Sequence, residues 1–142
     1  KQALQLMEML KSVMQNESTS RITCPLDVYR LSLDLISLQQ EHFAVIFLNS
    51  KNRVNSRKII SIGSLDATVV HPREVFREAI LKCSASIICV HNHPSGDPTP
   101  SPQDIEVTHK LVEAGRIIGI DVLDHVIVAR DGYVSLKERG MI

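Results

Sequence analysis

The chain has no charge excess of either sign, no paired-cysteine motif and no long apolar run, and each absence removes a class of protein. Sixteen Lys and Arg balance sixteen Asp and Glu, and the pI is near 7.2. A domain whose main ligand is duplex DNA neutralises many phosphates and usually has a pI above about 9. DNA binding by this domain is therefore not expected. The three cysteines, Cys24, Cys83 and Cys89, are odd in number and lack CxxC spacing. They argue against a disulfide framework and for a reducing, cytoplasmic setting. No apolar run approaches the ~20 residues of a membrane helix, and no signal-peptide pattern opens the chain. No membrane partner is expected. At 142 residues the chain also falls short of the ~200 that a TIM barrel needs. That sets aside the barrel metal hydrolases, which share a His-x-His pair. The sequence starts at Lys1 rather than Met and reads as a piece of a longer protein.

What is there suits one globular domain, with 44% hydrophobic residues and no internal repeat. Leu4, Met7, Leu10 and Met14 share a helical face within residues 2–14, and a polar Ser/Thr-rich stretch from Gln15 to Thr23 reads as a linker. Residues 1–24 are thus an N-terminal helix and linker, and residues 25–142 the domain proper. Pro25 opens an amphipathic helix expected to run from Leu26 to Gln40. Phe43 to Leu48 is apolar at every position, the mark of a central strand covered on both faces. Further strands are expected at Arg53–Ile62, Ala85–Val90, Asp121–Arg130 and Tyr133–Leu136, with a short one at Thr68–His71 and a hairpin turn at Asp131-Gly132. Helices are expected from Pro72 and over Pro102–Ile117, the latter broken by Gly115 and Gly119. The class is α/β, a mixed β-sheet with flanking helices.

The chemistry is concentrated between His91 and Asp104. Side chains two apart in a strand point the same way, so His91 and His93 project together from the end of the 85–90 strand. Four of the six prolines fall in the next nine residues and stiffen the loop that brings in Asp104. Two imidazoles and one carboxylate suit a zinc ion and leave a fourth tetrahedral position open, the pattern of catalytic sites. Ser101-Pro102-Gln103-Asp104 also reads as a helix start, with Ser as N-cap, Pro at N1 and Asp at N3. Cap and ligand are compatible roles. The HNH nucleases spread their three residues along a ββα module rather than placing them side by side. The zinc nucleobase deaminases need H-x-E and P-C-x-x-C, and this chain contains neither.

His91-x-His93, seven residues, Ser101, two residues and Asp104 together resemble the JAMM signature of the JAB1/MPN metalloproteases. The text from Val70 to Phe76, through His91-Asn92-His93-Pro94-Ser95-Gly96-Asp97-Pro98, to Leu123-Asp124-His125 is similar to the RadC branch of that family. The resemblance covers roughly residues 25–142. It implies a JAB1/MPN-like fold of cytidine-deaminase-like architecture. It also implies a zinc-dependent peptidase or isopeptidase acting on a peptide or protein substrate. Carried over by position, His91, His93 and Asp104 hold Zn2+, and Ser101 hydrogen-bonds the oxyanion. The family's upstream general-base glutamate falls on Glu41, immediately before the apolar strand. One departure stands out: many peptidases of the superfamily have Ser or Thr between the histidines, and this chain has Asn92. It leaves metal binding intact and puts specificity in question.

Other candidates carry less. Glu74 and Glu78 suit the helix dipole after Pro72, and Glu17 lies in the polar linker. Cys89 shares the face of His91 and reads as a core residue. His125 beside Asp124 reads as a satisfied histidine at a strand start, and His42, His71 and His109 have no partner pattern. The competing functions are a DNA-repair or replication-associated accessory module and a metal-bound, non-catalytic interaction scaffold.

Overall fold

The computed structural model describes residues 2–9 and 21–142, with residues 2–9 helical and exposed. Leu10, Met14, Glu17 and most of the expected linker lie outside the described residues. The remaining chain forms helices α1 (Pro25–Leu31) and α2 (Leu33–Ile36), strands β1 (His42–Leu48) and β2 (Val54–Ile62), helix α3 (Pro72–Leu81), strand β3 (Ser86–Asn92), helix α4 (Pro102–Ile118), and strands β4 (Asp121–Ala129) and β5 (Gly132–Ser135). The strands make one sheet in the order β2-β1-β3-β4-β5. The β3–β4 pair is parallel and every other pair antiparallel, so α4 is the crossover of a single βαβ unit.

The centre of the sheet is buried on both faces, which explains the unbroken apolar run of β1. Phe43, Val45 and Phe47 point to one face, where they pack with Val75, Phe76 and Ala79 of α3 and with Val107 and Leu111 of α4. Ala44, Ile46 and Leu48 point to the other, against Val28 of α1 and Leu35 of α2. The α/β class expected from the sequence holds, as helix, sheet and helix layers. Ile22 joins the second core and donates its N–H to Asn52 O, so the folded body already includes residues just before Pro25.

Four local expectations need correction. The first helix stops at Ile36 instead of Gln40, interrupted at Ser32 and closed by Ser37, whose hydroxyl donates to Asp34 O. The chain must turn there to enter β1. Thr68–His71 is a turn and not a strand, because Asp66 accepts the Thr68 N–H on its carboxylate and the Val69 and Val70 N–H groups on its carbonyl. Helix α4 passes through Gly115 unbroken and ends at Gly119, which takes φ +88° as C-cap. Gly115 is needed for closeness: a Cβ there would sit 2.4 Å from Ile120 O. The hairpin turn is Arg130-Asp131, since Ala129 already pairs with Gly132.

Candidate metal centre

Strand β3 runs two residues beyond its expected end, so His91 lies inside the sheet and His93 just past it. His91 pairs with Phe43 of β1 on one side and Ile127 of β4 on the other, and is 1% exposed. The His93 N–H donates to Val128 O, which keeps the chain on course past the strand end. The two imidazole centroids are 4.9 Å apart with the rings nearly perpendicular. Asp104 comes from the first turn of α4, completely buried. Its carboxylate meets His91 Nδ1 at 2.6 Å through Oδ1 and His93 Nε2 at 3.0 Å through Oδ2.

Ser101 caps α4 in both directions. Its Oγ accepts from Asp104 N at 3.1 Å, and Asp104 Oδ2 accepts from Ser101 N and from the Ser101 hydroxyl, both at 2.8 Å. The cap thereby also aims the carboxylate at the histidines. Glu41 stands at the open side, immediately before β1, with Oε1 3.2 Å from His91 Nε2. A cleft of about 550 Å3 opens beside it, lined by Gln40, Glu41, Ser64, His93, Ser95 and Ser101. The structure therefore brings together all five residues singled out in the sequence.

Donor and acceptor arithmetic defines what this cluster lacks. His93 Nδ1 faces Asp97 O at 3.0 Å and must donate to it, since a carbonyl only accepts. Neutral His93 then presents a lone pair at Nε2, toward Asp104 Oδ2. His91 Nδ1 likewise donates to Asp104 Oδ1, leaving a lone pair at Nε2 toward Glu41. That buried nitrogen has no hydrogen-bond partner among the described residues. The Nε2 lone pair of His91 thus faces the Glu41 carboxylate with no donor between them. Such a cluster calls for a cation, either a proton or a metal ion. Burial opposes a proton on His93, yet the Asp104 carboxylate outweighs it and raises the His93 pKa above its ordinary value. Burial likewise works against ionised Asp104, but the His91 and His93 hydrogen bonds hold its carboxyl well below the usual carboxylate range.

His125, read from the sequence as a satisfied histidine, is completely buried behind this cluster. Thr108 gives its only hydroxyl proton to Asp104 O, so His125 Nδ1 must donate to Thr108 Oγ1 at 2.6 Å. The other ring nitrogen, Nε2, has no partner among the described residues. Burial pushes the His125 pKa down to about 3, keeping the ring neutral. Two overlapping trios, Glu41-His91-His93 and His91-Asp104-His125, each hold potential ligand atoms within 4.8 Å of one another. The second trio was missed; the register of β4 against β3, which sets His125 beside Cys89, was not readable beforehand. Cys89 is a buried core residue, as expected. Glu78 pairs with Lys58 at 2.7 Å, away from the site.

These features define an α/β domain with a histidine and carboxylate cluster that could hold a metal ion at the end of a central strand. The family described as RadC-like JAB domain matches residues 22–141, and the chain belongs to it. A UPF0758 protein of Geobacillus thermodenitrificans is 52% identical over 144 residues, which cover 99% of this chain and 64% of the relative. A UPF0758 protein of Listeria welshimeri is 55% identical over 130 residues, 91% of this chain and 58% of its own. One from Bacillus cereus is 64% identical over 105 residues, 74% and 47% respectively. The chain thus spans about three-fifths of the length of the first two relatives. Among the described residues no helix is long and apolar enough to cross a membrane.

Proposed function

We propose that this domain is a zinc-dependent hydrolase of amide bonds in a peptide or protein substrate. The observation that carries the reading is the packing of His91, His93 and the Asp104 carboxylate against one another beside Glu41, with His91 Nε2 buried and unpartnered among the described residues. His91, His93 and Asp104 are the ligands in this reading. Zinc bound there supplies Lewis acidity, polarising the scissile carbonyl and making water a stronger acid. The residues of the chain do the rest. The Ser101 cap aims the Asp104 carboxylate at the histidines, and the carbonyl of Asp97 orients His93.

Glu41 is the general base. It is part-exposed at the cleft, where it can accept the proton of an attacking water and return it to the leaving nitrogen. Ser101 lines the same cleft and supplies a hydrogen bond to the carbonyl oxygen as it gains charge. Its hydroxyl proton points at Asp104 Oδ2 here, so that role requires it to rotate toward the substrate. The cleft is lined mainly by uncharged polar groups, which suits a peptide backbone better than a strongly charged ligand.

The test is metal content together with hydrolysis of a quenched-fluorescent mixed-sequence peptide library. The wild-type chain should bind close to one zinc, and His93→Ala should lose most of it. Glu41→Gln should keep the zinc and lose on the order of 10²–10⁴-fold in rate. Full zinc retention by His93→Ala would overturn the ligand set. Undiminished turnover by Glu41→Gln would overturn the base.

A further inference from the structure

Asn92 sits between the two histidines and is 1% exposed, yet its side chain hydrogen-bonds to backbone groups of β1 and the residues before it rather than to either histidine. The backbone ladder between β1 and β3 ends at the Phe43–His91 pair. Beyond it the Asn92 carboxamide takes over. Its Oδ1 accepts from His42 N, and its Nδ2 donates to Gln40 O at 3.0 Å. An amide presents one acceptor and one donor side by side, so it can continue the ladder as a peptide group does. Both partners are backbone groups with fixed roles, and only one orientation of the amide satisfies them.

The two clasped groups belong to the residues on either side of Glu41. The Glu41 carbonyl is held as well, accepting from Gly63 N at 2.8 Å. The backbone is therefore fixed from both neighbouring strands, and only side-chain torsions remain to place the carboxylate near His91 Nε2. We propose that Asn92 is the positioning residue of Glu41: its carboxamide brackets the Glu41 backbone and sets the carboxylate against the metal-binding group. This rests on the reading of Glu41 as general base. A Ser or Thr hydroxyl at position 92 is shorter and cannot span both Gln40 O and His42 N. Outer-shell groups of this kind are commonly worth about 10–100-fold.

The experiment uses the cobalt-loaded chain, with Co2+ alone as probe, and the pH midpoint of its visible spectrum. Asn92→Ser and, as a second variant of larger volume, Asn92→Thr are compared with wild type and Glu41→Gln. Both should keep about one equivalent of metal. Both should shift the midpoint in the direction that Glu41→Gln shifts it. Added to Glu41→Gln, neither should move it further. On the peptide library the same variants should lower kcat about 10–100-fold in the wild-type background and less than about twofold in Glu41→Gln. A wild-type midpoint in both Asn92 variants, with Glu41→Gln displaced, would overturn the positioning role and leave the base standing. An unmoved midpoint in Glu41→Gln would overturn the base, and the positioning role with it. Loss of metal from the Asn92 variants alone would show that Asn92 supports the ligands instead.

Discussion

His125 carries a consequence for stability that differs from that of the groups around it. Its ring is neutral in the fold, with a pKa near 3, whereas an unfolded histidine titrates near 6.5. Between those values the unfolded chain binds the extra proton, so stability falls as pH falls from about 6.5 toward 3. His93 works in the opposite sense: its raised pKa adds stability below its unfolded value that is lost as pH rises through the folded one. The variant isolates the first effect. In chelator-treated protein, urea unfolding at pH 7 and pH 5 should show a smaller drop for His125→Leu than for wild type. An equal or larger drop in the variant would mean that His125 is not held neutral. At this scale the motif residues were the most legible part of the molecule, because His91, His93, Ser101 and Asp104 lie within fourteen positions. His125 was not, since its partners Thr108 and Asp104 are defined only by how α4 lies across β4.

Helix α4 shows how one element serves two ends. Ser101 satisfies the Asp104 N–H and simultaneously restrains the Asp104 carboxylate. Ser101→Ala should therefore lose about 1 kcal/mol of stability, as N-cap deletions generally do, whether or not metal is present. Thermal unfolding with chelator and with zinc checks this. A variant as stable as wild type in both conditions would show that the cap is not contributing. The helix start was readable from Ser-Pro-x-Asp because capping is a local rule. Its passage through Gly115 was not, because that glycine answers to Ile120 and Phe76 across the packing interface. The early end of the first helix has the same kind of cause. Propensity favours continuing through Gln40, but Gln40 is held by Asn92, and tertiary hydrogen bonding overrides a weak local preference. Strand β3 gains its last two residues from neighbours on both sides, which no period in the sequence encodes.

For the whole molecule, equal numbers of positive and negative side chains leave no general electrostatic attraction for polyanions. Binding of a 20-base-pair duplex by this chain should be weaker than about 10 μM at physiological salt. Fluorescence anisotropy across a salt series is the measurement. Tight binding that collapses between about 50 and 200 mM salt would favour the nucleic-acid reading over the hydrolase. The layered α/β arrangement was legible because β1 is apolar at every position, a pattern that requires cover on both faces.

The separation of the site along the chain has a kinetic corollary. His91, His93 and Asp104 are joined by a short, proline-stiffened loop, so bringing them together closes little chain. Glu41 lies fifty residues before His91 and arrives only when the antiparallel β1–β3 pair has zipped to its end. In the proposed reading, the βαβ unit would therefore capture the ion during synthesis and folding before the base is alongside it. The most reactive arrangement is the last to be completed. On the proposed function, a chain that frays at the start of β1 would keep its metal but fall silent, a built-in restraint on hydrolysis by partly folded molecules.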